Sequence, residues 1–163
     1  MTYSNENPVD GPIGHAFETA FKLTELQNTH SDLMSGMAVM DAVIGQPVAD
    51  SYRHSNARWR LSQAGLKASI LLGSIFSYLL PRVASGDAAV LRSIQATHVD
   101  FLRTATEHVR NWPIDKIEED WAGYCGAYRA FQWNLTTCIA AEKRLLYPML
   151  TKEALSGTRR QAT

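Results

Sequence analysis

The sequence contains Thr29-His30-Ser31-Asp32-Leu33 and, in its second half, the closely similar Thr97-His98-Val99-Asp100-Phe101. Each copy is followed downstream by an apolar run that a proline closes, at residues 77–81 and 144–148. Internal repetition is a stronger guide to architecture than an isolated motif. The chain therefore predicts two copies of one helical hairpin, each with a histidine on its first helix.

Apolar residues recur at alternating spacings of three and four, and no useful stretch alternates with a period of two. This pattern predicts amphipathic helices over residues 14–44, 50–83, 88–111 and 114–155. Four long helices with short connections predict an all-α fold, an up-down-up-down four-helix bundle made of two repeated helical hairpins. Residues 1–13 are then a polar N-terminal arm, residues 14–155 the bundle and residues 156–163 a C-terminal tail.

Composition limits the classes of partner. The chain has 163 residues, 45% of them hydrophobic, and its 16 basic and 16 acidic side chains cancel. A neutral balance argues against nucleic acid or an anionic membrane as partner. Residues 68–81, the longest apolar stretch, are too short to cross a bilayer, and the first residues lack the pattern of a signal peptide. Two cysteines too far apart on one helix to bond favour a cytoplasmic location.

Three polar residues lie on the apolar stripes of the predicted helices: His30, His98 and Glu142. A buried carboxylate is costly unless it is paired, protonated or bound to a cation. Inward-facing histidine and glutamate side chains are how helical bundles build metal sites, and this donor set suits iron, manganese or zinc. The alternative is that the histidines are satisfied core residues and that Glu142 pairs with an arginine.

The other histidines are expected to lie elsewhere. His108 is predicted to lie at a helix end, in a different layer from His98. His15 and His54 are predicted to be surface or helix-start residues.

The sequence leaves two further questions open. No nucleophile–base pair, phosphate-binding loop or second carboxylate specifies a reaction, so it does not decide whether the protein is an enzyme. An aromatic cluster is either part of the core or the face of a homodimer; its members are Trp112, Trp121, Tyr124 and Tyr128.

With these residues in view, the chain resembles the hemerythrin-like family, the His-His-Glu cation-binding bundles. The resemblance covers about residues 14–155. It rests on the two histidine segments and on Cys138-Ile139-Ala140-Ala141-Glu142-Lys143-Arg144-Leu145-Leu146-Tyr147-Pro148, which is similar to the family's His-x-x-x-Glu and leucine-aromatic-proline close. Several ligand positions are replaced: Cys138 stands where the family has histidine, and Leu71 and Ile75 occupy the matching positions of the first hairpin.

The resemblance implies three alternative functions. In the first, His30, His98 and Glu142 hold a mononuclear non-haem iron that binds or senses a small ligand such as oxygen or nitric oxide. In the second, His30 and His98 hold haem or another apolar ligand, without the Cys-x-x-Cys-His segment that attaches haem covalently. In the third, the site is degenerate and the domain is a metal-free interaction module.

Overall fold

The computed structural model describes residues 12–159, and within that range every regular element is a helix. The elements are α1 (Pro12–Ile44), α2 (Ser51–Leu79), α3 (Ser85–Asn111), α4 (Ile114–Glu119) and α5 (Trp121–Arg159). The predicted all-α class is confirmed. Residues 1–11 of the predicted arm and 160–163 of the predicted tail lie outside the described residues. Helices α1 and α5 extend into the inner parts of both segments.

The predicted helix over residues 114–155 is divided at Asp120. The Asp120 carboxylate accepts a hydrogen bond from the backbone N–H of Gly123 at 2.9 Å, as an N-cap does at the start of α5. A Cβ atom at position 123 would overlap the Asp120 carboxylate, so glycine lets the carboxylate keep this capping position. The capping aspartate therefore sets the break between α4 and α5.

Helix α1 packs along both α2 and α5, and α3 packs mainly on α5. The hydroxyls of Thr19 and Tyr78 are 2.6 Å apart, which joins the start of α1 to the end of α2. The Cys125 thiol lies 3.6 Å from the Ile44 carbonyl and joins the end of α1 to the start of α5. Neighbouring helices in these pairs therefore run in opposite directions. Helices α2 and α3 make few contacts with each other.

Two apolar clusters fill the interior. One is built around Met40, Tyr124 and Ile139, and the other around Ile75 and Leu146. Along α1, α3 and α5, the residues between these clusters include the three polar residues of the predicted site. No helix within residues 12–159 has the length and apolarity needed to span a lipid bilayer.

Candidate ligand site

The structure brings His30 of α1, His98 of α3 and Glu142 of α5 together between the two apolar clusters. The Glu142 carboxylate accepts a hydrogen bond from His30 Nε2 at 2.8 Å through Oε2, and its Oε1 lies 3.7 Å from His98 Nδ1. Burial alone raises the pKa of Glu142, but its contacts with His30 and His98 outweigh burial and lower that pKa. Glu142 is therefore a buried, ionised carboxylate held between two imidazoles.

His30 uses both of its ring nitrogens within the protein. Nε2 bonds Glu142, and Nδ1 is 2.8 Å from the hydroxyl of Tyr147, whose ring stacks on the imidazole. The residue is almost fully buried. No nitrogen of His30 is left for a ligand, so the predicted role of His30 as a haem ligand does not match this geometry.

His98 is different because only one of its nitrogens faces a protein group. Nδ1 lies on the carboxylate side, and Nε2 is buried without a hydrogen-bond partner. Histidines that bind a metal commonly direct their other ring nitrogen to a carboxylate, which fixes the orientation of the ring. The Glu142 carboxylate lies beside Nδ1 of His98 in this way. Nε2 of His98 is therefore the nitrogen that is available to coordinate a metal or to hydrogen-bond a ligand.

A metal ion bound by all three predicted ligands has less support. Among the described residues, no group of three or more histidine, cysteine, aspartate or glutamate side chains is arranged to hold a metal ion. Such an ion would have to replace the hydrogen bond between His30 and Glu142. The metal site formed by His30, His98 and Glu142 thus stays a prediction.

A cavity of about 520 Å³ begins at His98 and Glu142 and extends between α2, α3 and α5. This volume falls in the range of pockets that hold small molecules and cofactors. Its walls are largely apolar and include Leu33, Met40, Leu61, Leu72, Phe101, Phe131, Leu135 and Ile139. On α2, Leu72 lines the cavity, whereas Leu71 and Ile75, which the sequence pattern placed beside the site, do not.

The cavity follows the seam where α2 and α3 make few contacts. Small residues line it there, among them Gly65 on α2 and Ala105 on α3. A Cβ atom at Gly65 would meet only open space. Leu66 and Val109 also line the cavity, and they are 58% and 50% exposed. The seam therefore connects the cavity to the surface.

The end of the cavity away from Glu142 is polar. Arg58 donates hydrogen bonds to the carbonyls of Trp112 at 2.8 Å and Val109 at 3.0 Å, at the end of α3. Tyr128 is 1% exposed and its hydroxyl has no hydrogen-bond partner. Burial raises the pKa of Tyr128, so its hydroxyl stays protonated and is a donor.

His108 also lines this end, stacked on Phe131. His108 lies in the last turn of α3, as predicted, and faces the interior.

His54 lies in the first turn of α2, as one of the two predicted alternatives had it, but it is not a surface residue. Its ring is fully buried, packed edge-on against Tyr124 and Trp121, and neither ring nitrogen has a hydrogen-bond partner. Burial, together with smaller effects of the Arg58 charge and of His108, lowers the pKa of His54 to about 4. His54 is therefore a neutral core residue beside the polar end of the cavity.

This burial predicts a stability that falls in acid. The unfolded chain binds a proton on His54 near pH 6.5, and the folded chain does so only near pH 4. Stability is therefore complete above the higher value and declines as pH falls through this window, by up to about 3 kcal/mol. We expect His54→Leu to flatten the dependence measured by urea unfolding between about pH 7 and about pH 5. Ser55→Ala, on an exposed position of the same turn, should leave it unchanged. An equally steep decline in His54→Leu would contradict the assignment.

The cysteines are free and unactivated. Burial raises the pKa of both thiols, and the Glu142 carboxylate raises that of Cys138 further. Thiolate chemistry is therefore disfavoured at Cys138 even though it lines the cavity.

The sequence pattern missed Arg58 as a site residue. It included Tyr128 in the aromatic cluster, but nothing in the pattern shows that the Tyr128 hydroxyl lacks a partner. Comparisons of this chain with protein-family models, curated proteins and solved structures find no significant match.

Proposed function

We propose that this protein is an up-down-up-down four-helix bundle that binds one largely apolar small molecule in the cavity between α2, α3 and α5. His98 Nε2 supplies the polar contact to that molecule, and haem is the first candidate. One observation carries the proposal: a buried imidazole nitrogen without a partner faces an apolar cavity, while a buried carboxylate backs the other nitrogen of the same ring.

Energetics favour an occupant. A buried donor or acceptor without a partner costs about 1–3 kcal/mol, and apolar walls around a void lose van der Waals contacts. A ligand that contacts His98 Nε2 and the walls together recovers both losses. The binding free energy is therefore concentrated at His98 and at the apolar surface of the cavity.

Haem fits the chemistry of this environment. It needs an axial ligand and an apolar pocket, and the hydrogen-bond partners of that ligand tune the iron. His98 would hold the haem iron and Glu142 would orient the His98 ring, while Phe101 and Phe131 would supply aromatic wall. His30 does not line the cavity and would not hold the haem, which would supply the chemistry of diatomic binding.

A mononuclear non-haem iron held by His30, His98 and Glu142 is the second candidate. The convergence of two imidazoles on one buried carboxylate favours it, since that donor set suits iron. It differs from haem in a simple way: iron would be bound without a porphyrin absorption band.

Titration of the purified protein with hemin tests the proposal. We expect a shifted Soret band that saturates at one hemin per chain, and a loss of affinity of about tenfold or more in His98→Leu. His98→Gly with added imidazole should regain the native band. His15→Leu, a histidine outside the cavity lining, should bind as the native protein does.

Iron analysis of the protein as purified separates the two candidates. Stoichiometric iron with no Soret band, lost in both His30→Leu and His98→Leu, would favour the non-haem site. Hemin binding that is indifferent to His98 would contradict the role given to this residue.

A further inference from the structure

We infer that the molecule bound in this cavity is an acid, with an elongated apolar body and a carboxylate directed to the end formed by Arg58 and Tyr128. This inference rests on the proposed function and adds the chemical class and orientation of the ligand. It arises from three features of the cavity: its length, the distribution of its charges, and a buried hydroxyl without a partner.

The cavity is long and polar mainly at its two ends. Glu142 and Tyr128 both line it from α5, and a rise of 1.5 Å per residue separates them by about 21 Å. Between them the α5 wall is Phe131, Leu135 and Ile139, with only the Cys138 thiol as a weakly polar group. An extended apolar chain or ring system matches this middle section.

The charges at the two ends differ in how they are neutralised. The Glu142 carboxylate is compensated by His30 and His98. Arg58 donates only to two backbone carbonyls, and none of the ion pairs found within residues 12–159 includes it. Carbonyls accept hydrogen bonds but bring no negative charge. The Arg58 guanidinium therefore has no anionic partner within residues 12–159. The Asp41 carboxylate, whose charge acts on the Tyr128 hydroxyl, is exposed and accepts a hydrogen bond from Gln132.

Donors are available there for an anionic group. A guanidinium carries five N–H donors, and the two carbonyls account for two of them. The Tyr128 hydroxyl, at 1% exposure, is a further donor without a protein acceptor. A carboxylate accepts several hydrogen bonds at once and neutralises the guanidinium, and such charge-assisted bonds are about twice as strong as neutral ones. An alcohol or amide would satisfy the hydroxyl but leave the charge uncompensated.

A long-chain carboxylic acid has both the apolar length and the single anionic end that this cavity requires. A porphyrin held at His98 also carries carboxylates, but its propionates fall well short of an end about 21 Å away. The test therefore uses the acid and, as a contrast, the porphyrin. A neutral fluorescent polyene, diphenylhexatriene, first reports on the cavity, and hexadecanoic acid and hexadecan-1-ol then compete with it. Hemin and hemin dimethyl ester form the porphyrin pair.

Hexadecanoic acid should bind about tenfold or more tightly than hexadecan-1-ol, whereas hemin and its dimethyl ester should bind alike. That preference should fall to about twofold or less in Arg58→Met and in Tyr128→Phe, and Arg58→Lys should keep part of it. The Tyr128→Phe protein should melt no lower than the native protein, because the lost hydroxyl has no partner. Tyr52→Phe, a change at an exposed tyrosine, is the matched control.

The outcomes separate the two proposals. If diphenylhexatriene binds, but hexadecanoic acid and hexadecan-1-ol compete equally, the carboxylate inference is overturned and cavity binding stands. If neither the polyene nor the porphyrins bind, the proposed function fails and this inference fails with it. A preference for acid that survives in both Arg58→Met and Tyr128→Phe would place the carboxylate elsewhere and overturn the orientation.

Discussion

Replacement of Glu142 by leucine is expected to lower the free energy of unfolding by about 3 kcal/mol. The substitution leaves His30 Nε2 buried without an acceptor and removes the negative charge that faces both imidazoles. Breaking one side of a buried ion pair is costly because the remaining partner stays desolvated. Urea unfolding followed by circular dichroism measures the loss.

A second variant separates the pair from the rest of the site. In His30→Leu combined with Glu142→Leu, no charged partner remains on α1, and stability should return to within about 1 kcal/mol of the native protein. Glu142→Gln should fall between the native protein and Glu142→Leu. The surface pair of Glu107 and Arg103 provides a control, since Glu107→Leu should cost under about 1 kcal/mol. If Glu142→Leu were as stable as the native protein, the buried pair would contribute no net stability.

Filling the cavity is expected to have the largest effect on binding. Ala105 lines the cavity from α3 at the seam with α2, and Ala105→Phe would place an aromatic ring in the space that the ligand needs. We expect the affinity for hemin or diphenylhexatriene to fall by more than about tenfold. Stability should rise by about 1 kcal/mol, because filling a void restores contacts that its walls lack.

Two further variants make this result interpretable. Ala105→Leu adds less volume than Ala105→Phe. It shows whether any loss of stability in Ala105→Phe comes from overpacking, which by itself destabilises a core. Ala96→Phe adds the same ring at an exposed position of the same helix and should change neither stability nor binding appreciably. Unchanged ligand binding in Ala105→Phe would show that the ligand does not occupy this cavity.

The repeated histidine segments and the helical periodicity predicted a large part of the arrangement. They assigned His30, His98 and Glu142 to inward stripes of three helices, and these three side chains do meet. Tyr128, a member of the predicted aromatic cluster, also lines the cavity, and Tyr124 of the same cluster does so as well. Periodicity succeeds here because every fourth or third residue of a helix returns to the same face.

The failures share a cause, which is that one-dimensional patterns do not specify partners. His54 has charged and polar sequence neighbours, Arg53 and Ser55, and the rings of Trp121 and Tyr124 pack against it only in the folded structure. Counting back from Pro81 pointed to Leu71 and Ile75, whereas Leu72 lines the cavity. An error of one residue on a helix rotates the side chain by about 100°, which is enough to change the face.

The sequence by itself determined the helical class, the inward stripes and the candidacy of His30, His98 and Glu142, because these depend on local periodicity and on the cost of burying a charge. Only the tertiary structure decided which ring nitrogens of His30 and His98 have hydrogen-bond partners. His30 is satisfied by Glu142 and Tyr147, whereas His98 keeps Nε2 free because α2 and α3 stay apart and leave a cavity beside it. A hydrogen bond depends on the distance between atoms from different helices, and those distances are set only when the helices pack.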